Sequence, residues 1–193
     1  MRLLALLAAA LAAGCGHVAP PPAGATSDSA AVADLFPLAV GNEWTWVDRS
    51  PALPQGRAPE RTVRILALGA DGYYRDSDRG ELRIEGSCLR DRARRLLCAP
   101  LEAGRSWVSV TGVSSTERYE IVAAGEKVET PAGRFTGCVR VRALQRAGPE
   151  AENVLELTYA PGVGPVRIET FAVVGGKTSL QVRAELKSYV VKR

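Results

Sequence analysis

The chain has 193 residues, 24% of them charged, with a formal net charge of +4 and a single histidine. That length holds one domain of ordinary size with short appendages. The lone histidine is His17. The rest of the chain therefore excludes Ser-His-Asp catalysis, Cys-His catalysis and any histidine-bearing metal site.

The chain opens "MRLLALLAAALAAGC", one positive charge at Arg2 followed by an unbroken apolar run from Leu3 to Ala13. Such a run matches a secretory leader and is short for a permanent membrane-spanning helix. Small residues then lead directly into Cys15. "LAAGC" resembles the lipobox of bacterial lipoproteins, with Ala12 where that motif favours leucine. The resemblance implies a signal peptide over residues 1–14 and a mature N-terminus at Cys15, acylated on its thiol and its amino group. Several acyl chains on one residue anchor stably, since each buried methylene contributes about 0.8 kcal/mol. Gly16, rather than Asp, after the cysteine implies the outer membrane by the same resemblance.

Residues 15–34 read as a tether. "GHVAPPPAGATSDSAAVAD" is Pro, Ala, Gly and Ser with almost no large apolar side chain. Such a segment buries too little surface to offset its ordering and is expected to be disordered. Its 19 residues (16–34) would reach roughly 25 Å as a flexible coil.

From residue 35 to 193 large apolar residues recur with period two. "ELRIEGSC", "CVRVRA", "VLELTY" and "LQVRAELKSYVV" each alternate apolar with charged or polar positions. Turn signals such as Asp78-Arg79-Gly80, Pro161-Gly162 and Gly175-Gly176 separate them. The pattern predicts an all-β domain of roughly ten strands in an antiparallel sheet that curls into a half-barrel or barrel. Glu81, Glu85, Glu156 and Glu169 alternate outward beside arginines and are expected on a solvated face.

One eight-residue phrase occurs twice. "PLAVGNEW" ends at Trp44 and "PLEAGRSW" at Trp107, offset by 63 residues (107 minus 44). Pro suits a strand start, Gly supplies an unusual backbone conformation, and Trp opens the next strand. Both tryptophans are expected to be buried in the core at their strand starts. A duplicated ligand-lining pair is the alternative.

"FPLAVGNEWTW", "ETPAGRFTGCVRV" and "YAPGVGPVRIE" follow in that order. Together they resemble a group of uncharacterised β-rich bacterial envelope lipoproteins. The resemblance implies a β fold and an envelope setting, and no established catalytic residue or cofactor.

No nucleophile elbow, phosphate loop, C-x-x-C or dinucleotide fingerprint is present. The expected molecule is not an enzyme, and it needs no metal or cofactor. "LRDRARRL" gathers Arg90, Arg92, Arg94 and Arg95 at one hairpin tip. These arginines are candidates for contact with anionic lipid or peptidoglycan groups, or simply for a solvated turn. Nucleic acid is not an expected partner, because the run is short and the address lies outside the cytoplasm. The expected partners are the membrane, through the acyl chains, and a lipid or another envelope protein. A binding or carrier module is the leading expectation, a structural lipoprotein docking on an envelope protein the next, and a histidine-free hydrolase the last.

Three cysteines follow Cys15: Cys88, Cys98 and Cys138. "CLRDRARRLLC" reads as two strand ends around a tip near Ala93. A symmetric tip places Cys88 opposite Cys98, within disulfide reach. By parity with Leu82 and Ile84, Cys88 is expected on the core face. Pairs with Cys138 and three free thiols are the alternatives.

Overall fold

The computed structural model of the protein describes residues 24–113 and 115–192. The leader, Cys15 and His17 lie outside the described residues. One helix, α1 (Gly24–Leu35), precedes twelve strands: β1 (Glu43–Asp48), β2 (Glu60–Leu68), β3 (Tyr74–Asp76), β4 (Glu81–Glu85), β5 (Cys88–Arg90), β6 (Arg95–Cys98), β7 (Ser106–Gly112), β8 (Ser115–Thr130), β9 (Gly133–Gly148), β10 (Ala151–Ala160), β11 (Gly164–Val174) and β12 (Lys177–Val190). All form one antiparallel sheet, ordered β6-β5-β4-β3-β2-β1-β12-β11-β10-β9-β8-β7.

This order contains two six-stranded meanders, β1–β6 and β7–β12, joined where β1 pairs with β12. The two edges, β6 and β7, meet across a seam. Trp107 Nε1 donates to the Arg95 carbonyl at 2.7 Å, the Arg95 amide to Ser109 Oγ at 2.9 Å, and Arg95 Nη2 to the Val108 carbonyl at 2.8 Å. The sheet is thus nearly closed into a barrel. The count is twelve strands rather than ten because β3 and β5 are only 3 residues each, too short to show alternation.

The two phrases open the two meanders and build the same device. The Asn42 amide donates to the Ala39 carbonyl (3.0 Å), and that of Arg105 to the Glu102 carbonyl (3.1 Å). Each closes a turn whose third residue is a glycine at positive φ, Gly41 at 91° and Gly104 at 88°, as a type II turn requires. The Gly41 amide then donates to Ile65 O and the Ile65 amide to Asn42 O. Likewise Gly104 donates to Ile121 O and Ile121 to Arg105 O, all four bonds at 2.8 Å. Ile65 and Ile121 are both fully buried on the following strand. Each phrase therefore clips its strand to the next and plants a buried tryptophan, Trp44 or Trp107, just beyond the clip.

The expectation of a disordered tether through residue 34 is corrected. Residues 24–35 are helical, and Val32, Leu35 and Phe36 are buried. Spacings of three and four put these side chains on one helix face, and alanines favour the helix intrinsically. Contacts to β4, β5 and β11 place α1 across one end of the curl, between the two meanders. The Gly162 amide caps it by donating to Asp34 O at 2.8 Å.

That end is packed shut. The Phe36 ring lies 5.4 Å from that of Trp44 and 6.2 Å from that of Tyr159. Trp44 Nε1 donates to Val163 O at 2.7 Å. Pro161 lies against Gly137, so the three quoted motifs converge on one structural plug.

Cys88 and Cys98 form a disulfide with Cα atoms 4.2 Å apart, directly opposite in the β5–β6 register. Cys138 is free and buried. Cys88 pairs with Glu85 across a two-residue turn, so its parity is that of Glu85 and not of Ile84, yet it packs against the core as expected, beside Cys98 at 2% exposure.

The solvated-face expectation is also corrected for two glutamates. Glu156 is 5% exposed and Glu169 7%. A cross-strand row runs Glu120, Arg142, Glu156, Glu169, Arg183 through β8 to β12. Arg142 Nε donates to Glu156 at 2.8 Å, Arg140 Nη1 to the same carboxylate at 3.1 Å, and Arg183 Nε to Glu169 at 2.8 Å. Long arginine stems lying along the sheet account for the burial.

Candidate functional site

The end of the barrel away from α1 is open and holds two hollows. The first has a volume of about 340 Å³. Trp46, Val63, Ile168, Val182 and Ala184 form its apolar floor, from β1, β2, β11 and β12. Asp48, Arg61, Asp76 and Asp78 ring its mouth, beside Pro59.

The second hollow has a volume of about 370 Å³. Its apolar wall includes Leu96, Tyr119, Ala143, Leu155 and Leu157, with Thr170 at the boundary. Thr170 stands directly opposite Val182 of the first hollow in the β11–β12 register, so the two share a wall. Both volumes fall in the range of small-molecule pockets, roughly 300–1,000 Å³, and like them these hollows are mainly apolar with a few polar groups.

The polar groups differ between the two. In the second, Tyr119 Oη donates to Glu117 at 2.6 Å, and Arg94 Nε lies 3.4 Å from the same carboxylate. Burial, and then the hydrogen bond to Glu117, push the Tyr119 hydroxyl well above the ordinary phenol range. These groups satisfy one another. In the first, Asp48 accepts from the Ser50 amide at 2.8 Å, Asp76 from the Asp78 and Gly80 amides, and Asp78 pairs with Arg61. Trp46 is 8% exposed, and its indole N–H is buried without a hydrogen-bond partner among the described residues.

The four arginines singled out in the sequence all have partners inside the chain. Arg90 pairs with Glu85. Arg92 donates to Glu81 at 2.6 Å and to Asp71, and stacks 3.8 Å from the Tyr73 ring centroid. Arg94 reaches Glu117 and Asp91, and Arg95 the seam carbonyl of Val108. Hydrogen bonds to Glu81 and Asp71 raise Arg92 above the ordinary guanidinium range. The cluster locks β5–β6 to the β2–β3 turn, β4, β7 and β8. The arrangement leaves anionic contact as a use these groups would have to share with their internal partners.

Among the described residues no group of three or more His, Cys, Asp or Glu side chains is placed to hold a metal ion. No helix among them is long and apolar enough to cross a membrane. Trp46 was within reach of sequence reasoning. "WTWVD" alternates, so it sends Trp46 inward with Trp44. Asp78 carried only a turn signal, and Asp48 and Asp76, at strand ends, carried none.

No protein-family model matches the chain, and no curated protein does. Solved structures resemble it. A candidate exported protein of Bacteroides fragilis with a YmcC-like fold aligns at a TM-score of 0.50 and 15% identity, covering 80% of this chain and 98% of that one. A candidate lipoprotein of Parabacteroides distasonis aligns at 0.47 and 12% identity, over 81% and 98% respectively. The first likeness shows the YmcC-like fold for this chain.

Proposed function

We propose that the protein is a lipid-anchored envelope protein, held in the outer membrane through Cys15, that binds an apolar ligand in the open half of its barrel and catalyses no reaction. The observation that carries this is the pair of adjoining hollows. One end of the barrel is plugged by α1 and the Trp44 cluster, while apolar side chains line the other without filling it. The leader and Cys15 support the address, as does the resemblance to envelope lipoproteins. The Cys88–Cys98 disulfide fits an oxidising compartment. The absence of histidine beyond His17 supports a non-catalytic role.

Replacing Cys15 with Ser in the full chain tests both halves. The variant should move to the soluble fraction, and organic extraction of it should yield a co-purified lipid by mass spectrometry. Retention in the membrane pellet would refute the anchor. No lipid, and no uptake of a neutral fluorescent acyl ester, would refute the binding site.

A second reading has its own support at the β7 edge. Val108 and Val110 point outward and are exposed, while β6 is shorter than β7. A partner strand could add there. A cross-linked partner recovered without lipid would favour this reading.

A further inference from the structure

We propose that the second hollow holds an uncharged amphiphile, a short acyl or alkyl chain whose hydroxyl-bearing head hydrogen-bonds the side-chain amides of Gln145, Asn153 and Gln181. This rests on the ligand-binding reading above and names the ligand's chemistry. Strand register puts the amides in one row on the inner face. Asn153 stands directly opposite Gln145, and Gln145 opposite the buried Glu117. Asn153 also faces Ala172, and Ala172 faces Ser179. Gln181, the extra residue of a bulge in β12, joins the row by donating from Nε2 to Ser179 Oγ at 2.8 Å. All three amides line the hollow and are solvent-exposed.

Polarity falls with depth. Two residues further along the strands, about 7 Å, the row reads Tyr119, Ala143 and Leu155. The next reads Ile121, Val141 and Leu157, and Ile121 and Val141 are buried, which floors the hollow. The space therefore takes a head at the amide row and a short chain on Leu155 and Leu157. Charge decides the kind of head. Arg94 and Glu117 are the charged side chains of the lining. Arg94 Nε lies 3.4 Å from the Glu117 carboxylate, which also accepts from Tyr119 Oη at 2.6 Å. An ionised head would find no free counter-charge here and would exchange water for an apolar wall. A side-chain amide is neutral and offers donor and acceptor together, which a hydroxyl matches in both directions.

Four probes of one chain length test this on the full-length Cys15→Ser protein, titrated below their micelle concentrations. They are an alkyl glucoside, an alkyl methyl ether, an alkyl carboxylate and an alkyl trimethylammonium. The glucoside should bind about 10-fold tighter than the other three, as two hydrogen bonds would give. Gln145→Ala combined with Asn153→Ala should remove most of that advantage and leave ether binding within about 2-fold. Leu155→Trp should block the glucoside, whereas Val182→Trp, which fills the first hollow, should not. Equal or tighter binding of either ion overturns the uncharged head. An unchanged glucoside affinity in the double alanine variant overturns the amide assignment, even if Leu155→Trp fails to fold. Blocking by Val182→Trp and not by Leu155→Trp overturns the location. If none of the four binds the parent, the ligand-binding reading itself falls.

Discussion

Gly164 and Trp44 show how closely the plugged end is fitted. Gly164 has φ of 109°, and a Cβ there would lie 3.0 Å from Trp44 Nε1. Trp44 is 1% exposed and spends its one donor on Val163 O. Gly164→Ala therefore meets backbone strain and a rigid ring together. It should lower stability by about 1–3 kcal/mol, read from chemical denaturation. Trp44→Ala should cost more, on the order of 3–5 kcal/mol. Because the two residues touch, the double variant should lose less than the sum of the two. Cys138 gives a different single-residue test. Burial raises its thiol above the ordinary range, and the thiolate is the reactive form. The native protein should resist alkylation there, and unfolding without reductant should expose a single thiol among these three cysteines.

Among the elements, the β5–β6 hairpin is held from both sides. The disulfide closes it internally, and Arg92 clamps it to Asp71 and Glu81. Both carboxyls sit below their ordinary values, first through the hydrogen bond from Arg92. A carboxyl depressed in the folded state contributes stability that is fully present above its unfolded value and lost as pH falls through the folded one. Arg92→Ala should therefore lower the melting temperature at neutral pH. The gap between variant and parent should shrink at pH well below the ordinary carboxylate range. A gap unchanged by acid would show that Arg92 acts through packing on Tyr73 instead. Replacing both Cys88 and Cys98 by Ala should cost about 2–3 kcal/mol for so short a loop.

These same elements mark how far sequence reasoning reaches. The Cys88–Cys98 pairing was legible because a charged tip centred near Ala93 fixes the register. The core packing of the pair was legible too, although the parity argument behind it does not carry across the turn between Glu85 and Cys88. The period-two alternation exposed the long strands and hid β3 and β5. Helix α1 was invisible because a few apolar residues, Val32 and Leu35 among them, become meaningful only against strands far along the chain. Glu156 looked solvated because Arg140 and Arg142, which cover it, lie on a neighbouring strand. The hollows could not be read at all. An inward Leu155 or Val182 looks the same whether the space before it is filled or open.

At the scale of the whole molecule, the repeated phrase marks a pseudo-symmetric barrel with two unequal joints. Each meander begins with the same turn, the same glycine and the same isoleucine clip. A closed barrel of this kind has two junctions between meanders, β1 against β12 and β7 against β6. The first is a full backbone ladder running from Glu43 to Asp48. The second rests on Trp107 Nε1, Ser109 Oγ and Arg95. Side-chain bonds in place of a ladder leave β7 amides without cross-seam backbone acceptors, and local opening follows the weaker joint. Hydrogen exchange should therefore be faster at the β6–β7 seam than along β1–β12. Trp107→Phe removes the bond to the Arg95 carbonyl and keeps most of the ring packed on Tyr119, which it stacks against at 5.6 Å. It should accelerate exchange in β6 and β7 several-fold and leave β1 and β12 nearly unchanged. The second hollow, with Leu96 of β6 and Tyr119 of β8 in its wall, borders this seam. If ligand enters from the side, Trp107→Phe should also speed its uptake and release while altering affinity little. Uniform acceleration across all strands would instead mean that the seam is no weaker than the ladder and that the barrel opens only as a unit.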